Sequence, residues 1–206
     1  MGAMYAKVCG LTAVDDVEVA VGSGADAIGV VMNDTSPRAI DSGLAARIVA
    51  AAAGEVDTVL VVNDKPADVA ARLAHDLGVS VLQLHGRRYT ADDFAAALAV
   101  FPRVWRATSL AHDPDLHVGA YGEELVLLDA PTPGSGEQWD LTALTERAPD
   151  GRWLLAGGLR PGNVAAAVAA ARPWGVDVSS GVESAPGVKD HGLIREFLAE
   201  VCAASR

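Results

Sequence analysis

The stretch Thr58–Leu84, TVLVVNDKPADVAARLAHDLGVSVLQL, decides the fold. Its opening run, Thr58–Val62, is β-branched or apolar, with no alternation of polar and apolar positions. Strands buried on both faces of a parallel sheet read this way. Asn63–Pro66 breaks the run, and Val69, Leu73 and Leu77 follow at intervals of four, on one face of a helix. Ser80–Leu84 then begins a second apolar run, so the stretch is a strand–helix–strand unit.

The unit recurs on both sides. Similar short runs are Tyr5–Cys9, Ala27–Val31, Val104–Thr108, Leu125–Asp129, Trp153–Ala156 and Val176–Val178. Between them, Thr12-x-x-Asp15 reads as a capping box ahead of Val17, Ala20, Val21 and Gly24, and Thr90-x-x-Asp93 as another ahead of Phe94, Ala97, Leu98 and Phe101. Pro161 suits the first turn of a segment carrying Val164 and Val168. The last helix shows Leu193, Ile194, Phe197, Leu198 and Val201, with Cys202 read as a core residue beside them. Ala111–Glu123 is the irregular link, because Pro114, Gly119 and Gly122 shorten any helix there. Eight strands alternating with about eight helices argue an α/β fold with a closed parallel sheet, a (β/α)₈ TIM barrel. At 206 residues the barrel is near its minimal length, and the chain is expected to be a single domain over 1–206.

Composition narrows the function. Half the residues are hydrophobic, 21% are charged, and alanine makes up about a fifth, an ordinary globular balance that argues against disorder. No apolar run approaches the roughly 20 residues of a membrane helix. Met1–Leu11 lacks the basic-then-apolar pattern of a signal peptide. Cys9 and Cys202 are too few and too distant for a disulfide framework, which fits a reducing cytoplasm. A net charge of −11 repels phosphate backbones, so nucleic acid is a poor partner. A small phosphorylated ligand is still allowed, because backbone amides and a local arginine can hold it. His75, His112, His117 and His191 show no ligand spacing, so no metal is expected. The chain has neither a glycine-rich dinucleotide fingerprint nor a Gly-Lys-Ser/Thr phosphate loop, so no nucleotide cofactor is expected.

Barrels of this kind carry their sites at the C-terminal ends of the strands. The polar residues there are Cys9, Arg38, Gln83, His85, Arg106, Asp129, and Asp177 with Ser179–Ser180–Gly181, and Gly157–Gly158 lies among them. Cys9 is either a small buried hydrophobe or a base, with Lys7 at the same strand parity to favour its thiolate. Asp129 is either a cap or an acid facing Cys9 from across the ring. Arg38 is either a solvated surface side chain or a fork for an anionic group. His85 is either a catalytic base or, like Gln83, a strand-end residue that satisfies backbone groups. Gly157–Gly158 and Ser179–Ser180–Gly181 occupy the two terminal loops where such barrels bind phosphate.

Together these residues resemble the phosphoribosylanthranilate isomerase family. The resemblance rests on Lys7-Val8-Cys9-Gly10-Leu11-Thr12, Ser23-Gly24-Ala25-Asp26-Ala27-Ile28-Gly29, Ser36-Pro37-Arg38, Val81-Leu82-Gln83-Leu84-His85-Gly86 and Leu127-Leu128-Asp129. It continues through Gly157-Gly158-Leu159 with Pro161 and Asn163-Val164, and through Asp177-Val178-Ser179-Ser180-Gly181-Val182-Glu183, spanning nearly the whole chain. It implies a cofactor-free Amadori rearrangement of a phosphoribosyl substrate in tryptophan biosynthesis. It also implies Asp129 as general acid at the ring oxygen, Cys9 as general base at C2′, and Arg38 near the anthranilate carboxylate. Gly157, Gly158, Ser179, Ser180 and Gly181 would lie at the phosphate, with Lys7, Gln83, His85 and Asp177 as further substrate-binding residues. The chain departs from the family where Val30-Val31-Met32 follows Gly29 in place of an aromatic residue. It departs again where Gly134–Asp140 carries Glu137 in place of a lysine, which is expected to raise the Michaelis constant. A histidine-pathway or dual-pathway isomerase would place an acidic residue where this chain has Cys9, and a silent phosphosugar-binding barrel is the non-enzymatic alternative. Monomer and homodimer are both open.

Overall fold

The computed structural model describes residues 4–111, 116–130 and 144–205. Eight parallel strands close in sequence order: β1 (Tyr5–Cys9), β2 (Ala27–Val31), β3 (Asp57–Val62), β4 (Val81–His85), β5 (Val104–Thr108), β6 (Leu125–Leu128), β7 (Trp153–Leu155) and β8 (Gly175–Val178). β8 pairs back onto β1, with Asp177 beside Lys7, so the sheet has no free edge. Every strand run read from the sequence is present, with ends moved by one residue at most.

The helices are α1 (Val14–Gly22), α2 (Ser42–Ala51), α3 (Ala67–Leu77), α4 (Ala91–Leu98), α5 (Leu144–Arg147), α6 (Val164–Ala171) and α7 (His191–Ala204). No helix stands between β5 and β6 among the described residues; Gly119 and Gly122 take φ values of +92° and +82° there, which suit turns. A small hairpin, β9 (Glu183–Ala185) and β10 (Val188–Lys189), lies between β8 and α7.

Three local readings need correction. The α1 box is made by Asp16, not Asp15: its Oδ2 accepts from the N–H groups of Ala13 at 3.1 Å and Thr12 at 3.3 Å. The box at Thr90 is as read, with both its N–H and its hydroxyl donating to Asp93. On α3 the sheet-facing stripe is Ala67, Ala70, Ala71 and Ala74; Leu73 and Leu77 sit half-buried on its flank and Val69 is exposed. Small side chains let a helix lie close to the sheet, and this outweighs the larger hydrophobes. Cys202 is exposed on α7, because Ile194, Phe197, Leu198 and Val201 already fill the buried stripe.

The core has two shells. Ala27, Val59, Val81, Trp105, Leu125, Leu127 and Leu154 fill the barrel interior, while Ala6, Val8, Ile28, Leu60, Leu82 and their equivalents pack under the helices. The two-residue strand period therefore decides which side chains reach the site. Lys7 and Cys9 have the inward parity on β1. Arg106, between inward Trp105 and Ala107, points outward, so it leaves the candidate list. Its Nε donates to Glu123 at 2.7 Å, and its guanidinium covers the Tyr121 ring.

Candidate active site

A cavity of about 730 Å³ opens at the C-terminal mouth of the barrel. Of the residues singled out from the sequence, Cys9, Arg38, Gln83, His85, Asp129, Gly157, Gly158, Asp177, Ser179 and Ser180 line it. Lys7 and Gly181 stand behind the wall.

Lys7 is fully buried, and its Nζ donates to Asp177 Oδ1 at 2.8 Å across the β1–β8 seam. Burial pushes its pKa down, but the Asp177 carboxylate and the Cys9 sulfur outweigh that push, raise its pKa and keep it an ammonium. Burial pushes the Cys9 thiol above its ordinary pKa; the Lys7 ammonium opposes that push. Gly29 on β2 makes this contact possible, since a Cβ there would lie 2.8 Å from Cys9 Sγ and 3.3 Å from Lys7 Nζ.

Asp129 follows β6. Its Oδ1 accepts the Ala130 N–H at 2.8 Å, and burial raises its pKa to about 6. His85 Nε2 lies 3.7 Å from Asp129 Oδ2, beyond hydrogen-bond reach. Burial first, and then the Lys7 charge, lower the His85 pKa to about 4, so its imidazole is neutral near pH 7. Gln83 Oε1 and Trp105 Nε1, on register-paired residues of β4 and β5, are buried without a partner among the described residues.

The two terminal loops are pressed together. Gly157 and Gly158 have φ of +86° and +66°, and a Cβ on Gly157 would sit 2.5 Å from Ala130 N. A Cβ on Gly181 would overlap the Leu159 carbonyl, so this glycine is needed for backbone packing between the loops. Asn163 secures the first loop, donating from Nδ2 to Gly158 O at 2.9 Å.

Arg38 reaches the rim from the loop after β2, but its fork is already engaged. Nε and Nη2 donate to the two oxygens of Glu183 at 2.6 and 2.9 Å. Lys189 donates to Glu183 at 2.8 Å and to the Ser179 carbonyl at 2.9 Å. Sequence reasoning assigned no role to Glu183 or Lys189. Glu183 closes one of the motifs behind the resemblance, and that was the signal available. Gly134–Asp140, with Glu137, falls outside the described residues.

A closed (β/α)₈ barrel with a polar cavity at its C-terminal mouth has the layout of a TIM-barrel enzyme. The model of the family described as N-(5'phosphoribosyl)anthranilate (PRA) isomerase matches residues 6–200, and the chain belongs to this family of tryptophan-biosynthetic isomerases. It is 42% identical over 200 residues to the N-(5'-phosphoribosyl)anthranilate isomerase of Geobacter sp. strain M21, covering 94% of this chain and 96% of that one. The crystal structure of TrpF from Jonesia denitrificans superposes with a TM-score of 0.92 at 56% identity, covering 98% of each chain. A phosphoribosyl anthranilate isomerase solved with reduced 1-(o-carboxyphenylamino)-1-deoxyribulose 5-phosphate superposes with a TM-score of 0.82 at 32% identity, covering 96% of this chain and 98% of that one. No helix among the described residues is long and apolar enough to cross a membrane.

Proposed function

We propose that the Amadori rearrangement of N-(5-phosphoribosyl)anthranilate proceeds in this cavity with Asp129 as general acid and Cys9 as general base. Asp129 gives its proton to the furanose ring oxygen as the C1′–O bond breaks, and the anilino nitrogen forms the C1′=N iminium. Cys9, as thiolate, removes the C2′ proton; the C–H electrons form the C1′=C2′ bond and the iminium electrons return to nitrogen. The enolamine then gains a proton at C1′ and loses one from the C2′ hydroxyl, giving the 1-deoxyribulose product. No external oxidant or reductant is needed.

The observation that carries this reading is the environment of Asp129. A carboxyl group with a pKa near 6 keeps a useful protonated fraction at neutral pH, while an ordinary aspartate near 4 does not. Lys7 supports the base, because its ammonium beside the sulfur favours the thiolate, and Asp177 anchors Lys7. Neutral His85 and Gln83 offer polar contacts to the sugar. Arg38 meets the anthranilate carboxylate. The loops of Gly157–Gly158 and Ser179–Gly181 offer backbone amides to the phosphate. The absence of a disulfide between Cys9 and Cys202 supports a reducing cytoplasm as the site of action, with the chain as a monomer or homodimer. The test is loss of substrate fluorescence together with rescue of a tryptophan auxotroph. Cys9→Ala and Asp129→Asn are both expected to fail in both assays, and near-wild-type turnover by either variant defeats the assignment.

A further inference from the structure

We propose that Glu183, neutralised by Lys189, is a positioning residue that locks the Arg38 guanidinium and selects the edge it turns to an aromatic carboxylate. The proposal rests on the reading that Arg38 meets the substrate carboxylate. Three observations carry it.

The first is the geometry of the fork. Glu183 takes the Nε and Nη2 edge of Arg38 in a two-point pair, so the edge left for a ligand is that of Nη1. A carboxylate on the substrate cannot use the edge that Glu183 occupies. The second is charge. Arg38, Lys189 and Glu183 form a cluster of two cations and one anion, and their side chains are 12%, 0% and 4% exposed. Burial pushes the Glu183 carboxyl up, but the hydrogen bonds from Arg38 and Lys189 hold it below its ordinary range, so it remains ionised. The cluster keeps one net positive charge at the cavity rim, matched to an anionic ligand.

The third is that the turn after Glu183 packs directly against the loop that carries Arg38. Gly187 donates its N–H to Glu183 at 3.2 Å, and its carbonyl accepts the Thr12 hydroxyl at 2.7 Å. A Cβ on Gly187 would lie 2.5 Å from the Pro37 carbonyl, at φ +81°. Ser36 Oγ accepts the Arg38 N–H at 3.1 Å. Backbone and guanidinium are thus fixed before any ligand arrives, so the rotamer freedom of a long arginine is not lost again on binding. Lys189 also ties this clamp to the Ser179 carbonyl, at the start of the Ser179–Gly181 loop.

The experiment compares Glu183→Gln, Arg38→Met and the double variant. Each is assayed for kcat and KM, for binding of the reduced product analogue, and for inhibition by inorganic phosphate. In Glu183→Gln we expect KM and the analogue Kd to rise roughly ten-fold, the scale of one charge-assisted hydrogen bond, with kcat held within about two-fold. Phosphate inhibition stays at the wild-type level, which a collapsed rim would not allow. Glu183→Asp, which keeps the charge but shortens the reach, gives an intermediate KM and serves if the glutamine variant does not fold. In the Arg38→Met background, Glu183→Gln adds nothing further to KM. If Arg38→Met leaves KM unchanged, the reading of Arg38 itself fails. If Arg38→Met raises KM while Glu183→Gln leaves it unchanged or lowers it, Arg38 keeps its role and the positioning role is overturned. An additive rise in the double variant overturns it as well.

Discussion

The two ends of the barrel each carry an inward-facing aspartate, and their surroundings push them in opposite directions. At the N-terminal end, Asp57 accepts hydrogen bonds from Tyr5 Oη at 2.8 Å, Ser80 Oγ at 3.1 Å, and Arg103 at 2.6 and 3.1 Å. Burial pushes this carboxyl up, but these donors win and hold it below its ordinary pKa. Arg103 is itself clamped on its other side by Glu124, and Tyr5 stacks on Trp174 with ring centroids 4.7 Å apart. At the C-terminal end, Asp129 has one backbone donor and no side-chain cation within bonding distance among the described residues, and burial raises its pKa to about 6. The number of donors aimed at a carboxylate decides whether it braces the fold or holds a transferable proton.

The largest effect is expected at the upper end. Asp129→Asn removes the acid, and turnover should fall by about 10²–10⁴-fold, read as initial rates of fluorescence loss. The same change should stabilise the protein. The folded pKa near 6 lies above the unfolded value near 4, so the ionised carboxylate is a burden above pH 6, a partial one between 4 and 6, and none below 4. At pH 8 the variant should gain about 2 kcal/mol and melt a few degrees higher than wild type, with the difference gone at pH 4. A lower melting temperature at pH 8 would break the contrast between the ends.

The next effect concerns the base. The acid titrates near 6 and the thiol above its ordinary value, so the productive form has the higher-pKa group deprotonated. Below pH 6 the thiolate fraction falls with no compensating gain in protonated Asp129, so kcat/KM should rise up to about pH 6. It should stay level until the thiol titrates and then decline. Lys7→Met removes the ammonium that favours the thiolate. It should move the alkaline limb to higher pH and lower the plateau by roughly ten-fold or more, because the thiolate fraction falls about ten-fold for every pH unit by which the thiol pKa rises. An unmoved alkaline limb would show that Lys7 supports the fold and not the base.

Much of this molecule is legible in its sequence, and the exceptions share a physical reason. The strands are readable because doubly buried parallel strands must be continuous β-branched runs, as in Thr58–Val62. Cys9 and Asp129 are readable because a polar residue that ends such a run sits at the mouth. Arg106 misleads because only the register shows that it faces outward, toward Glu123. The face of α3 misleads because closeness to the sheet favours alanine over leucine. The Arg38–Glu183 pair joins side chains 145 positions apart in the chain, and no local pattern encodes it. Lys7 is half legible: its parity shows it inside, but only the closed β1–β8 seam shows Asp177 as its partner.

The smallest expected effect on catalysis is at the lower end, and there the stability sign reverses. Asp57→Asn keeps the shape but weakens a network of one tyrosine, one serine and one arginine. Arg103 keeps Glu124 as a partner, so the guanidinium is not left alone, and the loss should be about 1–3 kcal/mol. The wild-type contribution is present above the unfolded pKa near 4 and is lost as pH falls through the depressed folded value. Wild type and Asp57→Asn should therefore converge in denaturant midpoint as the pH is lowered past 4, whereas wild type and Asp129→Asn diverge as it is raised from 4 to 8. Because Asp57 lies a full strand length from the mouth, kcat and KM should stay within about two-fold of wild type, in line with the independence of distant sites. A large change in kcat would mean that the two ends are coupled through the barrel interior. Tyr5 and Trp105 are the side chains that would carry that coupling, since their rings meet edge to face at 6.2 Å between the Asp57 network and Gln83.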